Sequence, residues 1–94
     1  MEKIPILRIN GKRYKAKSLK MGAYRQIVML IDDIGEMSPE DLKDDMLEAI
    51  RLTFGLTPEL ADEIDAADII PTFRAITPWA QMIFTSKVKN LPNA

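Results

Sequence analysis

Five consecutive apolar residues, Ile27-Val28-Met29-Leu30-Ile31, sit inside the stretch Met21-Gly22-Ala23-Tyr24-Arg25-Gln26 to Asp32-Asp33-Ile34. No other feature limits the fold as strongly. A surface helix needs one apolar stripe, and Met21, Tyr24, Val28 and Ile31 supply it at helical spacing. The unbroken run goes further, because on a helix its members point in nearly every direction. Such a helix calls for enclosure, either by the rest of its own domain or by another subunit. Ile27, Met29 and Leu30 are therefore candidate interaction residues as well as candidate core.

A chain of 94 residues, 47% of them hydrophobic, has room for one compact domain and one core. We treat residues 1–94 as that single domain. Cysteine and histidine are both absent. No disulfide or thiolate metal site can form, and the usual general base, zinc ligand and physiological pH switch are missing. The first residues, MEKIPILRING, lack the apolar core of a signal peptide, and no run is long enough to span a bilayer. A cytoplasmic location is expected.

Charge is unevenly placed although the net is only −1. Lys3, Arg8, Lys12, Arg13, Lys15, Lys17 and Lys20 crowd the N-terminal segment, and every acid except Glu2 lies between Asp32 and Asp68. A basic end and an acidic middle suit head-to-tail association between copies, since unlike faces attract and like faces repel. Arg8, Lys15 and Lys17 on one side and Asp44, Asp45 and Glu48 on the other are the candidate assembly faces.

Along the chain, Ile4 to Ile9, Asn10-Gly11 and Lys12 to Lys17 read as a β-hairpin over residues 1–17. Asn-Gly accepts the positive φ angles of a tight hairpin turn. With a loop of two or four residues, Leu7, Ile9, Tyr14 and Ala16 share one face, and Arg8, Lys15 and Lys17 the other. Pro5 belongs near a free strand edge because it cannot donate to the ladder. Two strands are marginal alone, so the apolar face must lie on helices, which fill residues 18–88. The first helix should start between Ser18 and Met21 and end at Gly35. The second has Ser38 as N-cap, Pro39 at its first position, Glu40 and Asp41 in its first turn, and Gly55 as its stop. Its stripe is Leu42, Met46, Leu47, Ile50 and Phe54, opposite a wet face of Lys43, Asp44, Asp45 and Glu48. Thr57-Pro58-Glu59 opens a short third helix reaching about Ile64. Asp65 caps a fourth, with Ile69, Phe73, Ile76, Ala80, Ile83 and Phe84 at helical spacing. Pro71 is tolerable in its opening turn, whereas Pro78 should kink or break it near Thr77. Residues 89–94 have no apolar period and read as a loose tail. The fold class is thus mainly α (α+β), a two-stranded hairpin on a bundle of about four helices.

Catalysis has little to work with. Asp32-Asp33 and Asp44-Asp45 are adjacent pairs, and neighbours on a helix do not face one another. Asp62, Asp65 and Asp68 lack the glycine and terminal glutamate of a calcium loop. Ser18, Ser38 and Ser86 have no histidine to activate them. No catalytic, cofactor or metal residue is assigned. The basic hairpin could meet phosphates, but aromatics for base stacking are scarce and the second helix is acidic. Trp79, Met82, Ile83 and Phe84 gather beside Pro78, and Trp and Met are favoured at interface centres. This apolar cluster is the other candidate interaction surface.

Taken together, Leu7-Arg8-Ile9-Asn10-Gly11-Lys12-Arg13-Tyr14, an acidic second helix running into Phe54-Gly55-Leu56-Thr57-Pro58-Glu59-Leu60, and an Asp-rich turn from Asp62 to Asp68 before a last helix resemble the tail assembly chaperones of long-tailed bacteriophages and prophages. The similarity spans nearly the whole chain and rests on order and length rather than on any one motif. It implies a non-enzymatic role in tail morphogenesis: coating the tape-measure protein, keeping its apolar helices from aggregating, and recruiting tail-tube subunits. It also implies assembly into rings or helical homo-oligomers in the bacterial host's cytoplasm, and absence from the mature virion. Such proteins are often also made as longer frameshifted forms, and Val88-Lys89-Asn90 can be encoded as GTA-AAA-AAC, which contains a slippery heptamer. A nucleic-acid-binding regulator built on the hairpin, or a generic adaptor, are the alternatives.

Overall fold

The computed structural model describes residues 4–16, 18–33 and 35–89, with side chains described as far as Thr85. The hairpin forms as expected, from β1 (Ile6–Ile9) and β2 (Lys12–Lys15). Asn10 and Gly11 take φ of 53° and 79°, so the loop is the two-residue turn whose twist matches paired strands. The register places Leu7 opposite Tyr14 and Ile9 opposite Lys12. The Ala16 N–H donates to the Pro5 carbonyl at 3.0 Å, extending the ladder by the one group that Pro5 can offer. Leu7, Ile9 and Ala16 are buried in the common core, while Ile6, Arg8, Arg13 and Lys15 face outward and are exposed. Lys12 falls on the inner face beside Tyr14, its ammonium 5.9 Å from the ring centroid.

Four helices follow: α1 (Met21–Asp33), α2 (Pro39–Phe54), α3 (Pro58–Ala61) and α4 (Ile69–Lys89). The caps of α2 match its sequence signals. Ser38 Oγ accepts from the Asp41 N–H at 3.2 Å, and Gly55 sits in the left-handed region at φ 68°, its N–H bonded to the Arg51 carbonyl. Thr57 caps α3 in the same way as Ser38, through the Leu60 N–H at 3.2 Å. α-Helical bonding stops at Ala61 rather than at Ile64. Bonds from Glu63 to Leu60 and from Ile64 to Ala61 then wind the chain on in tighter, three-residue steps. Asp65 likewise caps a short 3-10 turn, Ala66–Asp68, before α4 begins at Ile69. The expected tail keeps only Lys89 within α4; residues 90–94 lie outside the described residues.

Helix α4 runs through Pro78 without interruption, which excludes the break of the two expected outcomes. Pro78 has no N–H for the Arg74 carbonyl, and its outward, exposed position leaves that carbonyl on the wet side of the helix, where water can serve it. One residue earlier, the Thr77 hydroxyl donates to the Phe73 carbonyl at 2.8 Å, a side-chain bond that goes with helix bending.

The organising element is α2, not α1. Ala49 and Ile50 of α2 are completely buried, and α2 packs against α1, α3 and α4, whereas the backbones of α1 and α4 scarcely approach one another. Helix α1 is consequently covered along one stripe only. That stripe is Ala23, Ile27 and Leu30, rotated from the expected Met21, Tyr24, Val28 and Ile31, which are half-buried or exposed. Met29 stands out in solvent at 53% exposure. The expected enclosure of the whole apolar run therefore does not occur within this chain. One packed neighbour covers about a third of a helix's circumference, and the remaining members of the run fall outside it. Among the described residues no helix is long and apolar enough to cross a membrane.

Candidate partner-binding surface

Helices α1 and α4 lie on α2 in opposite directions. Tyr24, near the start of α1, stacks on Phe84, near the end of α4, with ring centroids 4.6 Å apart and planes 14° from parallel. Ile31, near the end of α1, instead shares a groove with Ile70, Phe73, Arg74 and Thr77 from the first half of α4. The cleft between these two helices holds two open grooves. On one side of the Tyr24–Phe84 stack it forms an open groove of about 320 Å³ lined by Leu19, Lys20, Met21, Tyr24, Ile83 and Phe84. On the other it forms one of about 470 Å³, floored by Leu42 and Met46 of α2. Both grooves are mainly apolar. Their walls come from the flanks of helices whose central stripes are already packed.

The residues singled out from the sequence separate into three groups. Ile27, Leu30 and Trp79 are 1%, 2% and 4% exposed, so they are core and cannot meet a partner directly. The reason is geometric: Trp79 lies one turn from Ile76 and beside Ala80 on the face that α4 presents to α2, and a ring of that size fills the space. Met29 and Phe84 are exposed, and Met82 and Ile83 are half-buried. Of these, Ile83 and Phe84 line the smaller groove, whereas Met29 lies on the opposite side of α1 from Ile27. The residues that sequence reasoning missed as surface were Met21, Tyr24 and Ile31. Their signal was present as an apolar stripe, but it was assigned to the core.

The charged groups are also redistributed. Arg8 and Lys15 stand with Arg13 on the outward face of the hairpin; Lys17 lies outside the described residues. Asp44 is exposed, while Asp45 and Glu48 are partly covered. Glu48 is committed within its own helix, accepting from Arg51 Nε at 2.9 Å and from Nη2 as well. That hydrogen bond, aided by the guanidinium charge, holds the Glu48 carboxyl below the usual carboxylate range and raises Arg51 further. Arg51 also reaches the Leu56 carbonyl at 3.4 Å, tying the end of α2 to the chain beyond Gly55. A third open groove, about 350 Å³, lies between this pair and Pro58, Ala61 and Asp62. Asp32 and Asp33 are exposed at the end of α1, and among the described residues no three acids gather in a metal-holding arrangement.

No family model, curated protein or solved structure matches this chain.

Proposed function

We propose that this chain is a non-catalytic, self-associating assembly chaperone for an apolar helical client. By the resemblance set out above, the client is the tape-measure protein of a long-tailed phage, with tail-tube subunits as further partners. It would act in the cytoplasm of the bacterial host and be left out of the finished virion. The observation that carries the reading is the open apolar cleft beside a completed core. Exposed Ile70 and half-buried Ile31 and Leu42 line one end, and Met21, Tyr24 and Phe84 the other. The apolar stripe of α2 is packed, so the molecule keeps apolar surface available without giving up its own fold. Helix-in-groove recognition needs just such a surface. Co-expression with a tape-measure protein from the same gene neighbourhood should raise that protein's soluble yield. An unchanged yield rejects the client assignment.

Self-association belongs to the same proposal. The outward hairpin face with Arg8, Arg13 and Lys15 is a basic surface, and Asp44 lies on the acidic side of α2. That basic face also supports a second reading, contact with nucleic-acid phosphates. Titration with duplex DNA at moderate salt separates the two: the chaperone reading expects a flat curve, and saturable binding favours the regulator.

A further inference from the structure

We infer that the α1–α4 cleft is a docking site for an acidic amphipathic helix contributed by a different protein. This inference rests on the chaperone reading for its biological setting and adds the chemistry of the partner.

Two observations define the occupant. The first is the spacing of the grooves. Met21 marks one end on α1 and Ile31 the other, ten residues on, so the anchoring points lie about 15 Å apart at the helical rise. An α-helix laid along the cleft would set apolar side chains into both grooves from one face, about three turns apart, and cross the Tyr24–Phe84 stack between them. The second is the charge at the rim. Lys20 lines one groove and Arg74 the other, and both are exposed. Among the described residues neither of these cations has a carboxylate within ion-pair distance, the one ion pair being Glu48 with Arg51. No carboxylate is among the residues lining either groove, so the lining is basic on a chain whose net charge is −1.

The same observations exclude a second copy as the occupant. The acidic helix of this chain is α2, and its apolar stripe, Met46, Ile50 and Phe54, is spent in its own core. The acidic segment from Glu59 to Asp68 has two large aliphatics, of which Ile64 is buried and Leu60 half-buried. The C-terminal residues beyond Thr85 contain no acid at all. Helix α1 exposes Met21 and Met29 but carries acids only at its end, and α4 carries none, so no described helix of this chain combines a row of exposed apolar anchors with carboxylates along both flanks. A helix with leucine-like anchors and glutamates along both flanks fits both features of the cleft.

The test uses the full chain and two fluorescein-labelled helical peptides of about 16 residues, long enough for four turns. Both carry the same leucine stripe; one has Glu and the other Lys at the flanking positions. The Glu-flanked peptide should bind at least about tenfold more tightly at low salt, and Arg74→Glu should reverse that order. Met21→Asp should abolish binding of the Glu-flanked peptide while circular dichroism stays unchanged, because Met21 is 61% exposed and outside the core. Met29→Asp, on the far side of α1, should leave binding intact. Equal binding of the two peptides, tighter binding of the Lys-flanked one, or equal losses from Met21→Asp and Met29→Asp would each overturn the inference. So would a dimer in sedimentation that Met21→Asp dissociates. If the Met21→Asp protein still keeps a tape-measure client soluble, the cleft assignment fails and the chaperone reading stands. If the wild-type chain does not protect the client yet binds the Glu-flanked peptide, the reverse holds.

Discussion

Glycine shows how a residue's worth depends on its backbone setting. Gly55 and Gly22 both have open space where a Cβ would sit, so neither is required for packing. Gly55 nevertheless has φ of 68°, and there an L-residue is strained. Gly55→Ala should lower stability by about 1 kcal/mol through the backbone alone. Gly22 lies inside α1, so Gly22→Ala should raise stability by about 0.5–1 kcal/mol. Urea midpoints of the two variants, moving in opposite directions, are the check. Trp79 is the other instructive residue. Its size suggested a partner anchor, but it is buried against Ile76 and Ala80 of its own helix layer. Trp79→Ala should cost about 3–5 kcal/mol, a core penalty rather than an interface one. A near-neutral melting temperature would contradict its place in the core.

Among the elements, the termini of α2 and the start of α3 were legible from Ser38, Gly55 and Thr57, because capping is local chemistry read from a few adjacent residues. The course of α4 through Pro78 was not, because it turns on whether the freed carbonyl faces water or protein. Pro78→Ala would restore an N–H toward the Arg74 carbonyl and should stabilise the chain by about 1–3 kcal/mol, visible as a higher urea midpoint. The Glu48–Arg51 pair within α2 carries a pH signature. Glu48 has its carboxyl pKa lowered by the Arg51 hydrogen bond, so its stabilisation is fully present above the ordinary glutamate range. It is lost as pH falls through the folded value. Because both side chains are partly solvated, the effect should stay below about 1 kcal/mol. The stability gap between wild type and Glu48→Gln should accordingly close on acidification; a gap independent of pH would remove the pair's role.

For the molecule as a whole, charge segregation and layer count matter most. Its shortest extent is 21 Å, about two helix diameters. With so few layers, α2 takes the central place, packed on α1, α3 and α4 along one side with its acidic face exposed, and α1 and α4 each keep an uncovered flank. Basic groups on the outward hairpin face and Asp44 on α2 are exposed, and among the described residues no ion pair joins the hairpin to α2. If these faces order the copies in an assembly, the assembly should shrink as salt rises, since exposed charges are screened within about 10 Å at 0.1 M. Light scattering or sedimentation across a salt series tests this, and a salt-independent size removes the electrostatic part of the proposal.

The sequence by itself determined the elements of this protein: the Asn10-Gly11 hairpin, the capped α2 and α3, the burial of Ile50, Phe54 and Ile76, and the mainly helical class. These follow from interactions a few residues in reach, and from stripes with only one apolar side. Helix α1 was different. With Ile27 to Ile31 apolar in a row, its sequence is compatible with many rotations about its axis, and the stripe Met21, Tyr24, Val28 and Ile31 looked like the core face. Tertiary packing chose Ala23, Ile27 and Leu30 instead, the face that meets α2, while α4 touches α1 only through flank side chains such as the stacked Phe84 and Tyr24. The rejected stripe became the wall of a cleft. A helix that is apolar nearly all round cannot encode which of its sides is covered; that is settled by how many neighbours a small domain can place around it.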